Sequence, residues 1–144
     1  MAPSDAPRRI EPVPLPAPPG GVPWRATRYP GVFWHPLAAA VDEGAHGEGA
    51  DGGDAVVLIR MDPGRGYPPH RHVGIEDVLV LQGGYRDDRG EHRAGTYLRY
   101  PPGSTHAPVA TGDAERAPGA DNPSCILFAI ARGGVQNLEA TGER

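Results

Sequence analysis

The chain has 144 residues, a size suited to one domain and one functional site rather than to two domains with a cleft between them. Its formal net charge is −4 and it carries no basic stripe, so the electrostatic requirement for binding nucleic acid is missing. No apolar run approaches the roughly 18 residues of a membrane span, and no signal peptide is recognisable. We therefore expect no membrane association and a cytoplasmic location.

Three segments follow one another along the chain. Residues 1–23 are rich in proline and poor in large apolar side chains, so we expect an extended or flexible N-terminal arm. Residues 24–138 contain short apolar runs separated by turn residues, which predicts a single folded domain. Residues 139–144 are predicted to be a C-terminal tail.

The folded domain is expected to be all-β. The whole chain contains 21 glycines and 18 prolines, which are large numbers for its length, and beyond residue 54 these residues separate apolar runs of strand length. The strands are predicted near residues 31–35, 55–61, 67–72, 76–82, 84–87, 96–100, 106–110 and 124–131. Tight turns are predicted at Gly83-Gly84, at residues 87–90 and at residues 101–104. Many short strands with such turns favour a sandwich or a jelly roll.

Two histidines and a glutamate form the first pattern with metal-ligand chemistry. His70 and His72 are two residues apart, so in a strand both side chains point to one face while Arg71 points to the other. Glu76 keeps the same even parity after a bend at Gly74 and can add a carboxylate oxygen. The flanking glycines of this pattern are Gly64 and Gly83.

The second pattern supplies a fourth candidate ligand. It consists of Gly95, Pro101, Gly103 and His106, in which a proline-glycine turn returns the chain toward the first pattern. Three neutral imidazoles and one carboxylate suit Fe(II), Mn, Ni, Cu or Zn and leave open positions on a six-coordinate ion. Open coordination positions are typical of a metal site that performs chemistry or exchanges ligands, whereas a structural metal site is usually closed.

These two stretches resemble the signature motifs of the cupin superfamily, with Ala110 in place of the final asparagine of the second motif. Within the superfamily, the sequence in and around the motifs resembles one branch more closely. That branch is known from the C-terminal domain of ChrR anti-sigma factors and from acetylacetone and dihydroxyacetophenone dioxygenases. Pro63-Gly64, Gly95-Thr96-Tyr97 and the run from Pro101 to Pro108 carry that likeness. The resemblance implies a single-domain cupin double-stranded β-helix, a jelly-roll barrel, with one divalent metal on His70, His72, Glu76 and His106.

The resemblance and the donor set together lead to three hypotheses for the function. The leading one is an Fe(II) dioxygenase that cleaves a small β-dicarbonyl or hydroxyketone, with O2 as its second substrate. The second is a non-catalytic metal or ligand sensor; the sequence carries no N-terminal helical zinc-binding domain of the ChrR layout, so such a sensor would need a partner. The third is a metal-dependent isomerase or decarboxylase that uses Mn, Zn or Ni without O2.

Weaker candidates lie close to the ligands in sequence. Tyr67, Tyr97 and Tyr100 could donate a hydrogen bond to a ligand or substrate, although aromatic residues more often fill a barrel. Arg60 and Arg99 could face the pocket and bind an anion. We expect the wall of a dry cavity to include Val56, Leu58, Val80 and Phe128.

The remaining histidines and the single cysteine are interpreted as structural. His35, His46 and His92 are expected to be packed or solvated, and Cys125 to be a small buried side chain rather than a nucleophile. A homodimer is also expected, because dimers are common among cupins.

Overall fold

The computed structural model describes residues 8–9, 21–38 and 53–138. Most of the predicted N-terminal arm, His46 and the predicted C-terminal tail lie outside these residues. The strands are β1 (Arg8–Arg9), β2 (Arg25–Ala26), β3 (Val32–Pro36), β4 (Ala55–Met61), β5 (His70–His72), β6 (Glu76–Gln82), β7 (Gly84–Asp87), β8 (Gly90–Arg93), β9 (Thr96–Tyr100), β10 (Thr105–His106), β11 (Val109–Ala110), β12 (Cys125–Ala131) and β13 (Val135–Asn137). No helix occurs in these three ranges, so none of the residues described belongs to a helix that could span a bilayer.

Within the described ranges, all pairings between neighbouring strands are antiparallel. The largest sheet has seven strands in the order β1-β9-β6-β12-β4-β3-β2. Two sheets of three strands, β10-β5-β13 and β11-β7-β8, complete the fold. Residues from the large sheet and from both small sheets line one cavity, so the cavity lies between these layers.

The central strands bury every second side chain, as a sheet with one face on the core must. In β12, the alternation places Cys125, Leu127, Ala129 and Ala131 inside. The partner strand β4 buries Ala55, Val57 and Met61. The same face of the neighbouring strands adds the buried side chains of Val78, Val80, Leu98 and Tyr100.

Two motif glycines have backbone conformations that explain their position. Gly103 has a φ of +83° in the turn before β10, a value that L side chains rarely adopt. Gly83 has a φ of +64° between β6 and β7, and a Cβ there would lie 2.6 Å from the carbonyl oxygen of Ser124. Gly103 therefore fixes the turn before the strand that carries His106, and Gly83 fixes the turn after the strand that carries Glu76.

The predicted strands agree well with the observed ones between residues 55 and 100. The predicted strand 67–72 is shorter, because only His70–His72 is paired as a strand. The predicted strand 106–110 is divided, since Ala107 and Pro108 separate β10 from β11. Four short strands were not predicted, namely β1, β2, β8 and β13.

Candidate metal centre

Four side chains from three strands converge at one end of the cavity. His70 and His72 extend from β5, Glu76 begins β6 and His106 ends β10. One ligand atom from each of the four residues lies within 4.8 Å of all the others. Arg71, between the two histidines, is exposed, as the alternation of a strand requires.

Hydrogen bonds at the outer ring nitrogens fix the two histidines of β5. The Nδ1 atom of His70 is 2.9 Å from the carbonyl oxygen of Pro68, so Nδ1 carries the hydrogen and donates it. The Nδ1 atom of His72 is 2.9 Å from Oγ of Ser104. That hydroxyl donates its own hydrogen to the carbonyl oxygen of Pro101 at 2.6 Å, so it accepts from His72. In both rings the lone pair is therefore left on Nε2.

The third imidazole has an ionic partner instead. The Nδ1 atom of His106 donates to Oδ2 of Asp87 at 2.8 Å, which again leaves the lone pair on Nε2. Asp87 also accepts from Nε2 of His92 at 2.8 Å and from the hydroxyl of Tyr100 at 2.7 Å. The hydroxyl of Tyr85 lies 2.6 Å from that of Tyr100 and continues this buried network.

One buried atom of the cluster has no hydrogen-bond partner. Nε2 of His72 is fully buried and satisfies no hydrogen-bond geometry, although Oε1 of Glu76 lies only 2.7 Å away. A lone pair and a carboxylate oxygen repel each other at this distance, and a cation shared by both atoms would remove that repulsion. The residues present therefore fit a divalent ion, and the His3Glu cluster could hold one.

The electrostatics of the cluster keep its donor atoms available. Burial, reinforced by the charge of His106, lowers the pKa of His70 from 6.5 to about 4. Burial by itself would raise the pKa of Glu76, but the surrounding imidazoles of His72, His70 and His106 hold that pKa below its ordinary value. At neutral pH, His70 is a neutral donor and Glu76 a carboxylate.

A cavity with apolar walls opens beside the cluster. Its empty volume, counted together with the solvent space at its open mouth, is about 520 Å³. His70, Glu76 and His106 lie at its polar end, with Tyr67 and Tyr85. The rest of the wall consists of Ala55, Val57, Ile59, Met61, Val78, Pro108, Leu127, Ala131 and Val135.

Two of the predicted tyrosines lie next to the histidines of the site. Tyr67 lines the cavity, and its ring centroid is 5.0 Å from that of His70. Tyr100 is buried, with its ring centroid 4.5 Å from that of His106. Its hydroxyl is used on Asp87, so it acts on the network behind His106.

The other weak candidates, Arg60, Tyr97 and Arg99, are not among the residues that line the cavity. Arg99 pairs with Asp77 at 2.9 Å, and the hydroxyl of Tyr97 donates to the same carboxylate. Arg60 pairs with Asp62 at 3.1 Å and packs over the ring of Phe33. In β9 and β4, these side chains alternate with the buried ones and therefore point away from the core.

The residues predicted to line the cavity in β4 and β12 were wrong, because each is next to a residue that lines it. Val56, Leu58 and Phe128 are half-buried and alternate with the inward residues of β4 and β12. Both strands are apolar on both faces, so periodicity gives no parity signal. Val80 points inward and is buried, but it does not line the cavity.

Sequence reasoning missed two residues of the network behind the ligands. Asp87 was interpreted as a turn residue, and its side chain is in fact fully buried. His92 was expected to be structural or solvated, and its Nε2 atom donates to Asp87. A buried pairing of this kind depends on which strands meet, and no local spacing signals it.

A family model described as ChrR Cupin-like domain matches residues 18–116. The structure of Rhodobacter sphaeroides SigE in complex with the anti-sigma ChrR is similar at 27% identity and a TM-score of 0.57, over 78% of this chain and 49% of that one. The chain thus spans about half the length of that relative. No curated protein matches the sequence.

Two further solved structures share the fold at lower identity. An acetylacetone dioxygenase from Acinetobacter johnsonii is 12% identical with a TM-score of 0.56, over 78% of this chain and 67% of that one. The polyketide cyclase RemF from Streptomyces resistomycificus is 21% identical with a TM-score of 0.55, over 88% and 86%. Together with the family match, these likenesses confirm the predicted all-β cupin fold.

Proposed function

This chain belongs to the ChrR Cupin-like domain family, and from that premise we propose that it is a metal-dependent enzyme, an Fe(II) dioxygenase acting on a small chelating carbonyl or enolate substrate. The observation that carries the proposal is the convergence of three Nε2 lone pairs and one carboxylate at the polar end of an apolar cavity. His70, His72, Glu76 and His106 would hold the ion.

The charge of the four donor groups indicates which kind of substrate group would bind the metal. Three neutral imidazoles and the carboxylate of Glu76 would leave a divalent ion with a net charge of about +1, which favours an anionic chelating ligand. When bound, Fe(II) would supply Lewis acidity and electron-transfer chemistry with O2. A β-dicarbonyl enolate or a deprotonated hydroxyketone presents two oxygens with one negative charge and matches this centre.

The cavity wall defines the remainder of the substrate. Among the described residues that line the cavity, none is lysine or arginine, so a second anionic group would have no partner there. Val57, Leu127 and Val135 give the cavity an apolar surface that excludes water. The substrate is therefore compact, with an uncharged apolar remainder.

Oxygen uptake tests this proposal. Protein loaded anaerobically with Fe(II) is mixed with aerated buffer and a panel of β-diketones and hydroxyketones, and O2 and substrate are followed together. We expect equal consumption of both with at least one substrate, lost in Glu76→Gln and kept in Asp77→Asn, whose carboxylate lies on the outer face. Absence of uptake across the panel by protein that retains Fe(II) would refute the dioxygenase, and anaerobic turnover with Mn, Ni or Zn would indicate an isomerase or a decarboxylase.

A metal or ligand sensor is a second candidate function. It is favoured by the family match and by the 27% identity to the chain solved with SigE. A sensor would use the same cluster to bind an ion or a chelating ligand and transmit occupancy to a protein partner. Metal-dependent capture of a sigma factor by the purified protein, without turnover of any substrate in the panel, would support the sensor over the enzyme.

A further inference from the structure

Asp87 is the most highly connected polar side chain behind the histidine cluster. It ends β7, and its side chain is fully buried. Its Oδ1 atom accepts from Nε2 of His92 at 2.8 Å and from the backbone N–H of Arg89 at 2.9 Å. Its Oδ2 atom accepts from the hydroxyl of Tyr100 at 2.7 Å and from Nδ1 of His106 at 2.8 Å.

These four donors fix both the position and the polarity of the carboxylate. Each oxygen receives two hydrogen bonds from different strands or turns, so rotation of the carboxylate would break several at once. The backbone N–H of Arg89 can only donate, which marks the carboxylate as the acceptor. The hydroxyl of Tyr100 therefore donates to Asp87 and accepts from Tyr85 at 2.6 Å, which completes an ordered chain.

His106 is distinguished from the other two imidazoles by this partner. Nδ1 of His70 donates to a backbone carbonyl and Nδ1 of His72 to a hydroxyl, both neutral acceptors. Nδ1 of His106 donates to an ionised group that is itself held in place. A carboxylate acceptor holds an imidazole in the Nδ1–H tautomer and makes its other nitrogen a stronger ligand.

We propose that Asp87 is a positioning residue that keeps the Nε2 lone pair of His106 directed into the cluster and sets the affinity of the site for its ion. The inference rests on the metal site of the proposed function. It assigns to the last residue of β7 a role in metal binding, exerted through His106 alone. Loss of an outer partner of this kind typically costs about 10- to 100-fold in metal affinity.

Asp87→Asn is the most informative variant. The amide is close in size to the carboxylate, but its NH2 group can donate to Nδ1 of His106 and so favour the tautomer whose Nε2 carries the hydrogen. Long-range 1H–15N NMR of metal-free protein reports that tautomer directly. We expect the Nδ1–H form of His106 in the unaltered protein and a substantial Nε2–H population in Asp87→Asn.

Metal affinity gives the second measurement. Zn(II) and Co(II) affinities are determined by competition with a chelator, and the fold is checked by circular dichroism. We expect a roughly 10- to 100-fold loss in Asp87→Asn, a smaller loss in Tyr100→Phe, which removes only one donor to Asp87, and no change in Asp77→Asn.

The outcomes separate this inference from the proposed function. If the unaltered protein binds neither ion, the proposed metal site is refuted. If it binds them and Asp87→Asn keeps both the tautomer and the affinity, only the role of Asp87 is overturned. An Nε2–H tautomer of His106 in the unaltered metal-free protein would also overturn it, even where the variant does not fold.

Discussion

His106 lies directly opposite His70 in the antiparallel ladder between β10 and β5, and their ring centroids are 4.6 Å apart. Residues that face each other across such a pair point to the same side of the sheet. The pairing therefore brings a histidine from the second motif onto the face already occupied by His70 and His72. Register alone assembles three of the four candidate ligands, and the start of β6 adds Glu76.

The cavity can be tested with one substitution at two neighbouring positions. Val57 lines the cavity and Val56 points to the outer face. We expect Val57→Leu to raise KM for the substrate by roughly tenfold, because one added methylene takes room from the ligand, while bound metal is unchanged. Val56→Leu should leave KM unchanged. An equal effect of the two substitutions in steady-state kinetics would contradict the position of the cavity.

The histidine cluster is predictable from the sequence because residues close together in the chain determine it. The spacing of His70 and His72 determines a shared face in any strand, and the turn at Gly103 requires the conformation that the structure shows. The parity of Val56 and Phe128 was not predictable in the same way, because apolar residues on both sides of a strand remove the alternation that identifies its inner face.

The parts of the fold that escaped prediction depend on tertiary contacts. The strand β8, Gly90–Arg93, has polar side chains, and it forms because β7 pairs with it across a tight turn. The strand β13, Val135–Asn137, follows two glycines and pairs with β5. The role of Asp87 depends on the approach of β10, β9 and β8 to one buried point, which no sequence window contains.

The metal-free protein should lose stability in mildly acidic solution because of His70. Its pKa is about 4 in the folded protein against 6.5 for the ordinary side chain, so between these values the unfolded chain binds more protons at this group. The free energy of unfolding therefore falls as pH is lowered from about 6.5 to about 4, by roughly 3 kcal/mol at most from this group. Urea unfolding at several pH values in the presence of a chelator measures the slope. In His70→Asn the free energy of unfolding should depend less steeply on pH between about 4 and 6.5. An equally steep dependence in the variant and in the unaltered protein would contradict the assignment of this effect to His70.

Cys125 should be unreactive while the protein is folded. The thiol is buried in the core, and burial raises its pKa to about 12, so the nucleophilic thiolate is scarce at pH 8. It is the single cysteine of the chain, so a colorimetric thiol reagent reports on it alone. We expect slow labelling in buffer and rapid, stoichiometric labelling in denaturant. Rapid labelling of the folded protein would show that the β12 core is open.

The metal content of anaerobically prepared and Fe(II)-loaded protein tests the central claim most directly. After removal of loose ions, elemental analysis should find one metal ion per chain in the unaltered protein and in Arg71→Ala, whose side chain is exposed beside the cluster. His70→Ala and Glu76→Ala should each lose most of it, because each removes one of four donors. Retention of a full equivalent by both of these variants would contradict the metal site.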